Sequence, residues 1–117
     1  MSIKVYEYNR CNTCRKALKF LDGREVIFQK IPLLEKPPTK TELKKMLKAL
    51  NGEIKKLFNT SGGEYKRLKL KDKLSSMSKE EAIDLLASNG GLIKRPFVIG
   101  KNVAMVGFKE DVWENQL

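Results

Sequence analysis

The chain has 117 residues, with 24 Lys and Arg against 14 Asp and Glu, a net charge of +10, and 41% hydrophobic residues. That length suits a single domain over residues 1–117, and no run of about 18 apolar residues exists to cross a bilayer. With two cysteines and no histidine, the chain alone cannot close a tetrahedral zinc site or run a Cys–His mechanism.

The positive charge suits an anionic partner: an acidic protein surface, a small oxyanion or a nucleic acid. The lysines are scattered, however, and no recognisable nucleic-acid-binding motif accompanies them, so direct nucleic-acid binding is not expected. The stretch Met1-Ser2-Ile3-Lys4 has no secretory apolar region. A cytoplasmic location is therefore expected, where thiols stay reduced and a two-cysteine motif is more often catalytic than structural.

Residues 2–8 read as a strand, by alternation of Ile3 and Val5 with polar positions and with Tyr8 at its far end. Asn9 and Arg10 make a turn. Residues 12–22 then read as an amphipathic helix with Ala17, Leu18 and Leu21 on one face, closed by Asp22-Gly23 with Gly23 as a left-handed cap. Val26-Ile27-Phe28 reads as a second, buried strand running on toward Ile31 and stopped by Pro32. Strand, helix, strand over some thirty residues is a βαβ unit, so these strands should be parallel.

The chemistry sits at its first turn: Cys11-Asn12-Thr13-Cys14, followed by Arg15-Lys16. A thiol at a strand-to-helix turn meets unpaired backbone N–H groups and the positive end of the helix dipole. Basic neighbours add to that field. All three favour the thiolate, which is the nucleophile. Cys14, one helical turn on, can close a disulfide with Cys11.

Residues 33–90 read as a helical insert. Thr39 and Glu42 form a capping box ahead of Leu43, Met46, Leu47 and Leu50, and Asn51-Gly52 breaks that helix. Ile54, Leu57 and Phe58 suggest a short helical turn, as do Tyr65, Leu68 and Leu70. Asn59-Thr60-Ser61-Gly62-Gly63 is a loop. Ser78 and Glu81 form a second capping box, for a helix burying Ala82, Ile83, Leu85, Leu86 and Ala87 that ends at Asn89-Gly90-Gly91.

The last third returns to strand. Phe97-Val98-Ile99, a turn at Gly100-Lys101-Asn102, and Val103-Ala104-Met105-Val106 make a hairpin, and a short helix follows around Asp111-Val112-Trp113. Pro96 opens the third strand. In a βαβ fold that begins with Cys-x-x-Cys, this proline would lie beside the thiols, where its backbone could pair with an extended substrate. Arg95 would then face the sulfur and hold a thiolate or an oxyanion. Position alone favours an ordinary trans peptide here with a solvated Arg95, cis bonds being the minority.

Asn9-Arg10-Cys11-Asn12-Thr13-Cys14-Arg15-Lys16-Ala17-Leu18, Pro37-Pro38-Thr39, Leu57-Phe58-Asn59-Thr60-Ser61-Gly62 and Leu92-Ile93-Lys94-Arg95-Pro96 together resemble the arsenate reductase (ArsC) family, over nearly the whole chain. That family includes glutaredoxin-coupled arsenate reductases, the Spx regulators and the small YffB-like proteins. The resemblance implies an α/β, thioredoxin-like mixed sheet of about four strands with a helical insert, and a cis bond before Pro96. It places Cys11 at the family nucleophile and Arg95 at an anion-holding arginine. Cys14 stands where the glutaredoxin-coupled reductases carry serine and Spx carries cysteine. Two further arginines of the arsenate reductases are replaced, by Asn59 and Gly107. Losing two such contacts, at about 1.5–3 kcal/mol each, would weaken arsenate binding by orders of magnitude.

The expected function is thus a thiol–disulfide oxidoreductase with Cys11 as nucleophile, Cys14 and Arg95 as its catalytic partners, and Asn12, Thr13, Arg15, Asn59 and Pro96 binding substrate. No cofactor is expected to be tightly bound. Glutathione is the candidate co-substrate, and glutaredoxin or thioredoxin a candidate partner. Two alternatives follow from the resemblance: a glutaredoxin-coupled arsenate reductase, and an Spx-like redox-sensing regulator docking on the RNA polymerase α subunit.

Overall fold

The computed structural model describes residues 3–8 and 10–117. Four short strands form one mixed sheet: β1 (Lys4–Glu7), β2 (Gln29–Pro32), β3 (Phe97–Ile99) and β4 (Ala104–Val106), in the spatial order β2-β1-β3-β4. β1 pairs with β2 in parallel, and β3 is antiparallel to both β1 and β4. The expected four-stranded mixed sheet, with its parallel βαβ opening and C-terminal hairpin, is present. Ser2 and Asn9, which belong to the expected first strand and turn, lie outside the described residues.

Strand alternation divides the apolar side chains between two layers. On one face Ile3, Val5, Val98 and Met105 meet Ala17 and Leu21 of α1 (Asn12–Gly23) and Trp113 of α6 (Glu110–Gln116). On the other, Tyr6, Ile31, Phe97 and Ile99 meet the helical insert: α2 (Lys40–Ala49), α3 (Gly63–Arg67), α4 (Leu70–Lys73) and α5 (Lys79–Ser88), linked by 3-10 turns. Both expected capping boxes form. The Thr39 and Ser78 side chains accept from the Glu42 and Glu81 amides at 3.1 Å, and each glutamate reaches back to its cap residue. Asn51 and Gly52 both adopt positive φ where α2 stops. Glu42 does more than cap. It accepts from the Tyr6 hydroxyl at 2.7 Å and pairs with Lys4 at 3.2 Å, tying the insert to β1.

Two expectations are corrected. The second strand is not Val26–Phe28 but Gln29–Pro32. Ile27 is 87% exposed, while Val26 and Phe28 pack half-buried against the α1 layer. β2 is an edge strand that needs only one inward residue, Ile31, so an apolar run was not the signal for it. Nor is Gly23 a left-handed cap: it is the last residue of α1, and the positive φ falls two residues later, at Glu25. The Val26 amide reaches back from beyond that bend to the Leu21 carbonyl at 3.1 Å, completing the helix end.

Candidate active site

β1 delivers the chain to a turn closed by the Cys11 amide donating to the Tyr8 carbonyl at 3.0 Å. Cys11 is the N-cap of α1. Its backbone is extended (φ −96°, ψ 117°), and its Sγ accepts from the Cys14 amide at 3.3 Å. Sulfur thus occupies the place a serine or aspartate oxygen fills in an ordinary cap. The residues that follow, Asn12 and Thr13, are exposed in the first turn, where backbone N–H groups have no partner within the helix.

Both thiols are free, and their settings differ sharply. Cys11 is half-buried, whereas Cys14 is 1% exposed. Burial pushes the Cys11 thiol upward. Hydrogen bonds from the Cys14 thiol and amide, then the hydrogen bond and charge of the Arg95 guanidinium, outweigh that and hold it below the ordinary thiol value. Cys14 moves the other way. Burial first, and then its place beside Cys11, push it up to about 12, against a hydrogen bond with the Tyr8 backbone and the Arg95 charge. The arrangement thus favours the thiolate at the half-exposed Cys11 and keeps the buried Cys14 a thiol that donates to it.

Arg95 lies just before β3, the strand that pairs with β1. The antiparallel bridge between Phe58 and Ile93, with the Lys94 amide donating to the Leu57 carbonyl at 2.7 Å, carries the chain into β3. The Arg95–Pro96 peptide is cis, as the family resemblance implies and position alone did not favour. The guanidinium lies 4.9 Å from the centre of the Tyr8 ring. Tyr8 therefore serves the site three ways: it closes the turn, reaches Cys14 through its backbone and seats Arg95. Sequence reasoning left it at the end of a strand. Its position three residues before Cys11 was the available signal, since that spacing allows one tight turn.

The structure brings Cys11, Cys14 and Arg95 together. Asn12 and Thr13 follow Cys11 in the first turn, and exposed Arg15 and Lys16 lie one turn along, with Arg10 exposed just before. The first acid on α1 is Asp22, near its opposite end. Pro96 is buried, and its carbonyl accepts from the Gly107 amide at 2.9 Å. Asn59 runs beside the approach to Arg95, its amide donating to the Leu92 carbonyl at 2.8 Å. Its side chain is packed against Gly62, where an added Cβ would fall 2.6 Å from Asn59 Nδ2. Gly107 has φ +71°, and a Cβ there would sit 3.2 Å from Lys94 Cε. A side chain at 107 would thus be strained by its backbone and would displace Lys94.

A thiol capping the first helix beside a four-stranded mixed sheet, with an arginine before a cis-proline turn facing it, places the chain among thioredoxin-like α/β proteins. A family model described as the ArsC family matches residues 6–116, and the chain belongs to that family. The chain is 46% identical to YusI of Bacillus subtilis strain 168 over 97% of both chains. The crystal structure of an ArsC-family-related protein from Bacteroides fragilis superposes with a TM-score of 0.93 at 41% identity, covering 100% of this chain and 98% of that one. The global transcriptional regulator Spx of Streptococcus mutans is 28% identical, over 86% of this chain and 72% of its own length.

Proposed function

We propose that this protein is a thiol–disulfide oxidoreductase in which Cys11 is the nucleophile. The observation that carries this reading is the opposed setting of the two thiols: Cys11 half-exposed and held toward thiolate, Cys14 buried and held protonated one turn away. The Cys11 thiolate attacks one sulfur of a substrate disulfide. That S–S bond breaks, a Cys11–substrate disulfide forms, and the first substrate sulfur leaves as a thiolate that takes a proton from water. Cys14 then loses its proton and attacks Cys11 Sγ. The second substrate thiol is released, and a Cys11–Cys14 disulfide remains. Two glutathione thiols, or a dithiol redoxin, return the pair to the reduced state and are themselves oxidised. The basic rim of Arg10, Arg15 and Lys16 favours an anionic or acidic substrate.

The test is turnover of a protein or glutathione mixed disulfide by the reduced chain. Cys11→Ser should abolish it. Cys14→Ser should let the Cys11–substrate adduct accumulate, visible by intact mass. An active Cys11→Ser variant would end the proposal.

Arsenate reduction is the weaker reading. Asn59 is held against Gly62 and Gly107 has no side chain, so Arg95 is left to hold the oxyanion without the two family arginines. The likeness to Spx supports a regulatory use of the same thiol pair. In that case the chain would bind the C-terminal domain of the RNA polymerase α subunit in one redox state and not in the other, as a pull-down in each state would show.

A further inference from the structure

The two edges of the sheet are finished differently. β2 ends on Pro32 and carries exposed Lys30, two devices that discourage another strand from pairing there. β4 carries neither: it reads Ala104-Met105-Val106. Its register against β3 fixes which backbone groups face out. Gly107 donates to Pro96, and Val103 accepts from Gly100, so Val103, Met105 and Gly107 turn their backbone polar groups toward β3. In an antiparallel ladder the alternate residues, Ala104 and Val106, turn theirs away, toward the open edge. What meets Ala104 N–H there is the Gln116 side-chain carbonyl, at 3.4 Å. That is longer than an ordinary N–H···O bond, and so a weak cover.

A groove of about 680 Å³ runs along this edge, between the end of α2 and α6. Its floor includes Phe58, Val106 and Trp113. Lys55, Lys56, Lys94 and Lys109 stand around it, and among the described lining residues Glu53, already paired with Lys56, is the one acid. Cys11 does not line it.

We propose that this groove binds an extended acidic segment of a partner protein, which adds to β4 as a fifth strand. The outward groups of Ala104 and Val106 pair with its backbone, alternate apolar side chains lie beside Ala104 and Val106 on the insert side of the sheet, and its carboxylates meet the lysines of the rim. Charge selects this occupant. A second copy of a chain carrying +10 would set lysine against lysine across the same edge. The proposal stands on the edge and its rim, and does not depend on the thiol chemistry.

The probes are three synthetic peptides of one length: alternating Glu and Val; the same with Lys for Glu; and the acidic peptide N-methylated on the residues that would pair. Trp113 is the only tryptophan and reports by fluorescence. Backbone amide shifts of Ala104 and Val106 report the pairing. The acidic peptide should bind and shift both amides. The lysine peptide and the N-methylated peptide should each bind at least about tenfold more weakly. Lys94→Glu with Lys109→Glu, both at exposed positions, should weaken the acidic peptide by a similar factor. Gln116→Ala, which uncovers Ala104 N–H, should tighten it. No binding of the acidic peptide at millimolar concentration would overturn the proposal, and so would binding indifferent to charge or to N-methylation. Self-association of the chain that shifts the same two amides would also overturn it, by making the second copy the occupant.

Discussion

Cys11 and Cys14 are three residues apart and are treated oppositely by their surroundings. The difference comes from which way each faces. Cys11 sits at the helix tip, half-open to solvent and within reach of Arg95, while Cys14 turns inward under β1. Removing the guanidinium should therefore move Cys11 and leave the fold intact. Arg95→Ala is expected to raise the Cys11 pKa, because a hydrogen bond and an opposite charge that favour the thiolate are lost. The pH dependence of Cys11 alkylation checks this. The sign follows from a depressed acid: the wild-type rate should already have levelled at a pH where the variant is still climbing. Tyr8→Ala should act in the same direction more weakly, since it unseats Arg95 without removing its charge. Neither Tyr8's role nor the burial of Glu7, at 7% exposure, was legible from sequence. Tyr8 acts largely through its backbone and ring face, which its position in an alternating pattern does not reveal.

At the scale of elements, the helix starts were the most legible parts of the chain. Thr39 with Glu42 and Ser78 with Glu81 are local patterns whose hydrogen bonds close within four residues, so no tertiary information is needed to read them. Thr39→Ala and Ser78→Ala should each cost about 1 kcal/mol in urea unfolding. The two positions are not equivalent. Glu42 also holds Tyr6 and Lys4, partners 36 and 38 residues away in sequence, which no local pattern could have shown. Burial raises the Glu42 carboxyl, but hydrogen bonds from Tyr6, Thr39 and Lys4, with the Lys4 charge, hold it below the ordinary carboxylate value. A carboxyl whose folded pKa is depressed adds stability above its unfolded pKa and loses it as pH falls through the folded one. Glu42→Gln should accordingly lower stability at pH 7, and the gap to wild type should shrink below pH 4, as equilibrium unfolding at the two pH values will show. The β2 region was misread for the converse reason. Its apolar run, Val26 to Phe28, packs beside α1, and the strand itself is a mostly polar edge with one inward side chain.

At the scale of the whole molecule, the sheet separates two apolar layers, one under α1 and α6 and one under the insert. Leu21 lies in the first and Leu86 in the second, both fully buried. Each truncated to alanine should cost about 2–5 kcal/mol. If the chain folds as one domain, both variants should shift a single urea transition, and two separate transitions would contradict that. The parallel βαβ opening and the hairpin were readable because each is local in sequence. The meeting of residues 11 and 95 was raised by Pro96 opening the third strand but was favoured only through the family resemblance, since 84 positions separate them and it takes the β1–β3 pairing to join them. Everything proposed for the thiols rests on Cys11 being held toward thiolate by the Cys14 hydrogen bonds and by Arg95. It is tested most directly by the pH profile of Cys11 alkylation in the reduced protein, followed on the Cys11 peptide by mass spectrometry. The expected midpoint lies below the ordinary thiol value of about 8.5 and moves upward in Arg95→Ala. A midpoint at or above that value in the wild type, or one unmoved by loss of the arginine, would contradict it.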